Sequence, residues 1–215
     1  MNDIAIYGAG GFGREIACLI KRINEVNPQW NLIGFFDDDE NLNGKQISHF
    51  GVCLGGINVL NEYPAKLAVV MAIGNSLVTK KICDKIMNPN IEYPNLIHPN
   101  FVVCDEETFV IGKGNIIQGG CVATVDVHIG DFNVFNGAIC MGHDVYIGNY
   151  NTFMPAVRIS GDVIVGDNNF FGVGSIVLQQ LKVGNNVRLG AGGVLMTKPK
   201  NGFLYIGNPA KKTEL

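Results

Sequence analysis

"IGDFNVFNGAICMGHDVYIG", residues 129–148, carries the reading of the fold. Ile129 and Ile147 stand 18 residues apart, and each is followed by glycine. The same step in both directions gives Ile111, Ile129, Ile147, Val165 and Val183, followed by Gly112, Gly130, Gly148, Gly166 and Gly184. Six residues further on lie Ile117, Phe135, Phe153, Phe171 and Leu189, and six beyond those lie Ala123, Met141, Ile159, Val177 and Leu195. All are apolar. A period of 18 made of three sixes predicts a three-sided coil, each side a short strand with one side chain pointing to the axis. Coils stacked ~4.8 Å apart bury that column continuously, and each depends on its neighbours. Asn115, Asn133, Asn151 and Asn169 repeat with the same period. Asparagine tolerates the left-handed conformation, so the spacing predicts a stacked ladder of turns rather than metal ligands.

The front of the chain reads differently. "IAIYGAGGFGREIA" (4–17) is a short apolar run, then Gly8-x-Gly10-x-x-Gly13, then Ile16, Leu19, Ile20 and Ile23 at helical spacing. A helix is predicted to start near Gly13 or Arg14. "NLIGFFDDD" (31–39) and "LAVVMAIGN" (67–75) read as two further strands, and Val78, Ile82 and Ile86 mark a second helix. This is a small open α/β sheet of the Rossmann-like kind, over residues 1–94, with the repeat domain at 95–215. Ligands of such sheets sit beyond the carboxyl ends of the strands. The glycine turn, Asp37-Asp38 and Gly74-Asn75 converge there. Backbone N–H groups at a helix N-terminus attract phosphate, and glycine allows its close approach. A carboxylate after the second strand can hydrogen-bond a ribose. The pattern says nucleotide or phosphate, without saying which.

Composition narrows the partners. The net charge of −3 gives no reason to expect nucleic acid or an anionic membrane surface. No apolar run approaches the ~20 residues that span a bilayer, and Met1-Asn2-Asp3 does not open like a signal peptide, so a cytoplasmic protein is expected. The six cysteines form no Cys-x-x-Cys pair and sit among apolar neighbours; they read as small core residues in a reducing compartment. The histidines are His49, His98, His128 and His143. Their spacing offers no three-histidine metal site, and no metal is expected. His143 and Asp144 follow the inward Met141 at a corner of the coil, where both can face outward. A neutral imidazole there can take a proton from an attacking amine or hydroxyl, and the adjacent carboxylate can fix its tautomer.

Together, "GAGG" (8–11), "FFDDD" (35–39), "AIGN" (72–75), the hexapeptide prism with "GHD" (142–144) and the closing "GNPAKK" (207–212) resemble the NeuD/PglD-type sugar O/N-acyltransferases over essentially the whole chain. The resemblance implies a left-handed parallel β-helix, a trimer, acetyl-CoA as co-substrate lying along the prism between subunits, and a nucleotide-linked sugar held by the front domain. It implies His143 as general base and Asp144 as its partner. Gly8, Gly10, Gly11 and Phe12, with Asp37, Asp38, Gly74 and Asn75, would meet the nucleotide sugar, and Asn136 would help orient the histidine. Thr152, Val173 and Ala191 would line the acetyl-CoA groove, with the Gly161 N–H as an oxyanion donor. Family members often carry histidine where this chain has Phe12, and many carry one where it has Thr152. Nitrogen and oxygen acceptors both suit a histidine base, and the sugar, nucleotide and acyl group stay open. Two other classes stay open on the residues: a non-catalytic sugar-nucleotide-binding protein, and an NAD-binding oxidoreductase with the coil as an oligomerisation module. The short front domain disfavours the latter.

Overall fold

The computed structural model describes residues 1–213. The chain forms two compact units, Met1–Pro99 and a second from Asn100 onward.

The first unit runs β1 (Asn2–Tyr7), α1 (Gly11–Val26), β2 (Trp30–Phe36), β3 (Cys53–Gly55), α2 (Ile57–Asn61), β4 (Leu67–Met71), α3 (Ser76–Cys83) and β5 (Ile91–Glu92). The strands pair in the order β3-β2-β1-β4-β5, all parallel. Strand order therefore reverses between β1 and β4, where an open α/β sheet leaves a crevice. Ile4, Ala5 and Ile6 are wholly buried in the central strand, and α1 covers it with Ile16, Leu19, Ile20 and Ile23. Burying such a side chain is worth about 1.5–3 kcal/mol. Helix α1 begins at Gly11, earlier than its apolar spacing predicts, because Gly10 supplies an extended N-cap. Helix α3 turns Thr79 inward and leaves Val78 exposed, and it ends at Cys83, before Ile86. Its phase follows from Asn75, whose side chain accepts the Leu77 and Val78 N–H groups.

The second unit is a left-handed β-helix. Two-residue and three-residue strands repeat on three faces, and each pairs in parallel with the strand 18 residues on, as in Ile111–Ile129–Ile147. Of the fifteen predicted inward positions, all but the first-coil Ile111 are buried, with Phe135, Phe153 and Phe171 stacked ring on ring at 4.8 and 4.7 Å. Every sixth residue from Gly114 to Gly192 has positive φ, among them Phe132, Asp144, Tyr150 and Asp162. Each left-handed non-glycine residue costs roughly 1–2 kcal/mol. The N–H at such a seat is used to lock the turn: Phe132 donates to Lys113 O at 2.9 Å and Asp144 to Val125 O at 3.0 Å, both one coil earlier.

The asparagines are a correction to the sequence reading. The left-handed seat is the residue before each of them, while Asn115, Asn133, Asn151 and Asn169 point inward and are fully buried. The Oδ1 of one accepts the backbone N–H and Nδ2–H of the next, as from Asn133 to Asn151 at 2.9 and 3.0 Å. The same Nδ2 donates to a coil carbonyl, Gly166 O for Asn151, at 2.9 Å. The period expresses a buried amide ladder, not conformational tolerance.

A second ladder runs outside it through Asp131, Asn149, Asp167, Asn185 and Asn201, each side-chain oxygen accepting an N–H from the coil before. It explains the repeated glycine. A Cβ on Gly130 would lie 2.6 Å from the Asn149 Oδ1, and Gly112, Gly148, Gly166 and Gly184 are overlain in the same way.

The cysteines also differ from expectation: Cys53 and Cys121 are buried, but Cys18 and Cys104 are exposed and Cys83 and Cys140 lie between. Cys18 falls on the solvent side of α1, which its apolar neighbours in sequence do not reveal. Among the described residues no helix is long and apolar enough to cross a membrane.

Candidate active site

Face strand Cys140–Met141 delivers the chain to Gly142, and Asp144 turns the corner at φ 56°. The turn puts both His143 and Asp144 on the outside, their side chains 63% and 54% exposed. His143 Nδ1 lies 2.7 Å from Asp144 Oδ2. An ionised carboxylate only accepts, so it holds the proton on Nδ1 and leaves the Nε2 lone pair free. That is the protonation state a general base needs. The tip of the ring rests on the bare backbone of Gly161 in the next coil: a Cβ there would lie 2.6 Å from Cε1 and 2.8 Å from Cδ2, with Nε2 closer still. A Cβ on Gly142 would in turn lie 2.7 Å from the Gly161 nitrogen. Two glycines absent from the repeat column thus meet at this corner.

The remaining predicted prism residues divide. Val173 and Ala191 share one corner column, where the Gly192 N–H donates to Val173 O at 2.8 Å, and both are exposed. Thr152 stands apart from them on a face strand, between Val134 and Phe170, and is only 7% exposed. The Asn136 amide is spent locally, with Nδ2 donating to Phe153 O at 3.1 Å and lying 3.7 Å from Met154 Sδ. Among the described residues it makes no hydrogen bond to His143.

In the first unit the turn is built by four glycines that play two different parts. Gly8 has φ 112°, and a Cβ would sit 2.5 Å from Ala72 O; a Cβ on Gly13 would fall inside contact distance of Gly8 O. These two close the turn against β4 and α1. Around a Cβ on Gly10 nothing lies within 4 Å, and around one on Gly11 only the flexible Arg14 guanidinium does. Among the described residues their bareness serves no packing and no side chain caps the first N–H groups of α1, which leaves room there for a ligand. Phe12 is half-exposed in that first turn. Gly74 is likewise open, at the end of β4, next to the α3 cap Asn75.

Both predicted acids brace the chain. Asp37 Oδ2 accepts the Ala9 N–H at 2.8 Å and its Oδ1 the Asp39 N–H at 3.0 Å. Asp38 Oδ1 accepts the Tyr7 hydroxyl at 2.7 Å and the Ile57 N–H at 2.9 Å. Burial, and secondarily the Asp38 carboxylate, push the Tyr7 phenol well above its ordinary value. Tyr7 went unread in the sequence; its only signal is its place as the last strand residue before Gly8. Among the described residues no three His, Cys, Asp or Glu side chains gather as metal ligands.

Residues 3–86 match the family described as PglD N-terminal domain. The acetyltransferase domain of PglB from Neisseria gonorrhoeae FA1090, solved in complex with acetyl coenzyme A, superposes with a TM-score of 0.84 at 25% identity, covering 99% of this chain and 100% of that one. The whole chain is thus similar to a sugar-modifying acetyltransferase domain, and its first unit to the PglD N-terminal domain. A further solved structure of similar fold is PerB from Caulobacter crescentus, in complex with CoA and GDP-perosamine, with a TM-score of 0.81, 25% identity, and coverage of 100% and 98%. A GDP-perosamine N-acetyltransferase of Escherichia coli O157:H7 is 32% identical over 133 residues, which is 61% of this chain and 58% of that relative's length.

Proposed function

We propose that this protein is an acetyl-CoA-dependent acetyltransferase acting on the amine of a nucleotide-linked amino sugar, with His143 as general base. The reading is carried by one observation, an exposed imidazole whose Nδ1 is held by Asp144 at 2.7 Å and whose Nε2 makes no hydrogen bond among the described residues, in a chain similar to these acetyltransferases. The N-acetyl assignment is supported by the relatives, among them an N-acetyltransferase of GDP-perosamine and structures holding acetyl-CoA or CoA.

In this reading the sugar amine attacks the thioester carbonyl and Nε2 accepts its proton. The Gly161 N–H, kept uncovered by the absence of a Cβ on Gly142, donates to the developing oxyanion. Collapse breaks the carbon–sulfur bond, and the imidazolium returns its proton to the departing thiolate, giving the N-acetyl sugar and CoA. Asp144 steadies the imidazolium meanwhile. Acetyl-CoA lies along the prism between subunits of a trimer, past Val173 and Ala191. The uncapped α1 N-terminus with Gly10 and Gly11 takes the nucleotide phosphates, so binding energy remote from the reaction orients the amine. Asp37 and Asp38 serve chiefly to hold that turn open.

The test is thiol release from acetyl-CoA across a panel of GDP-, UDP- and dTDP-linked amino sugars. The wild-type protein is expected to turn over at least one of them, and His143→Ala to be slower by about 10²–10⁴-fold. Equal release by both proteins across the panel overturns the proposal.

A further inference from the structure

Glycine at position 161 is not demanded by the backbone. Its φ lies outside the left-handed range, and the turn seat of that corner is the next residue, Asp162, at φ 55°. Nor does the repeat demand it: the equivalent column reads Val125, His143, Gly161, Gln179 and Thr197. What a side chain there would meet is the imidazole. The three atoms of the ring tip surround the place a Cβ would occupy, with Cε1 at 2.6 Å and Cδ2 at 2.8 Å. The rest of the ring is largely in solvent, and among the described residues no side chain but Asp144 is hydrogen-bonded to it. The ring is therefore located by two contacts, a carboxylate at Nδ1 and bare backbone at Nε2. The molecule uses the same device elsewhere, where Gly130 is bare because the Asn149 carboxamide lies over it.

We infer that Gly161 is a positioning residue for His143: by lacking a side chain it lets the imidazole lie down on the next coil with Nδ1 still in reach of Asp144. This rests on the role proposed for His143, and goes beyond the N–H already assigned to Gly161. An added methyl group lifts the ring tip and swings Nδ1 from the carboxylate. A displacement of about 1 Å in a reacting group can cost about 10²-fold in rate.

The experiment is a double-mutant cycle of Gly161→Ala and His143→Ala, read first as thermal midpoint. Gly161→Ala is expected to lower the midpoint in the wild-type background and to leave it unchanged in the His143→Ala background, where the space is vacant. An equal drop in both backgrounds overturns the inference, whatever the enzyme's activity proves to be. The second reading is nitrogen-detected NMR of the imidazole. The wild type should show a proton on Nδ1, and Gly161→Ala a mixture of tautomers; an unchanged tautomer also overturns it. In turnover, Gly161→Ala is expected to lose about 10²-fold in kcat with the KM for acetyl-CoA little altered. A KM effect alone would reassign Gly161 to donor binding. Should the His143 role itself fail in the thiol-release assay, the stability cycle and the tautomer reading still decide the geometry.

Discussion

Two corners of the same prism make opposite use of one backbone. At the corner of Asn133 and Asn151 the turn is filled from inside by fully buried carboxamides and from outside by the Asp131–Asn149–Asp167 series, so nearly every polar group finds its partner in an adjoining coil. At the corner of His143 the same left-handed turn, at Asp144, carries two exposed polar side chains and two glycines that belong to no column. The first corner repeats over four coils and makes the stack regular. The second occurs once, and in the proposed reaction its irregularity is what leaves a nitrogen lone pair to meet something outside the chain. In a repetitive fold, then, the departure from repetition is where chemistry is to be sought.

The contrast can be broken most severely at Asn151. Replacing it with alanine strands the Gly166 carbonyl, the Asn169 backbone N–H and one Asn169 Nδ2–H in a dry interior, and leaves the Asn133 Oδ1 only the backbone N–H of residue 151. A loss of about 3 kcal/mol is expected, seen as a lower urea midpoint, with kcat of the folded fraction unchanged. A fall in kcat without loss of stability would erase the distinction between the corners. Asp144→Asn should do the reverse. Turnover falls by about 10²-fold, equal to roughly 2.7 kcal/mol of barrier, because the imidazole loses its fixed tautomer, while the melting temperature hardly moves. The smallest effect belongs to the outer series. Asn149→Ala removes the bond its Oδ1 accepts from the Asp131 N–H and the bond its Nδ2 donates to Asp167 Oδ1 at a half-exposed site, where water can replace them, and about 1 kcal/mol is expected by calorimetry. A larger cost would show that the outer series, not the inner, fixes the coil spacing.

How far the sequence discloses this depends on whether a constraint recurs. The inward column was legible because burial imposes the same chemical demand at every eighteenth residue. The asparagine period was equally visible, yet two physical causes produce it, and only the coordinates separate a left-handed seat from a buried amide. The same limit applies to Asp37 and Asp38. An acid after a strand can hold a ribose or brace its own loop, and here both carboxylates accept from the chain. The short strands β3 and β5 and helix α2 left no period at all, since two to five residues cannot display one. His143 and Asp144 could be picked out because only four histidines compete; the reason for Gly161 could not, because it lies in a neighbour 18 residues away.

The paired carboxamide series has a consequence for chain length. Because every rung is addressed to the rung above and below, the fold can be lengthened or shortened only in whole turns. Excision of one complete eighteen-residue unit from the part of the stack after Asn169 would keep all columns aligned and leave the His143 corner untouched, merely lowering the tower by ~4.8 Å. Removal of seventeen or nineteen would swing each later inward aliphatic out of line with its column. Such proteins can thus evolve different heights, but not intermediate ones.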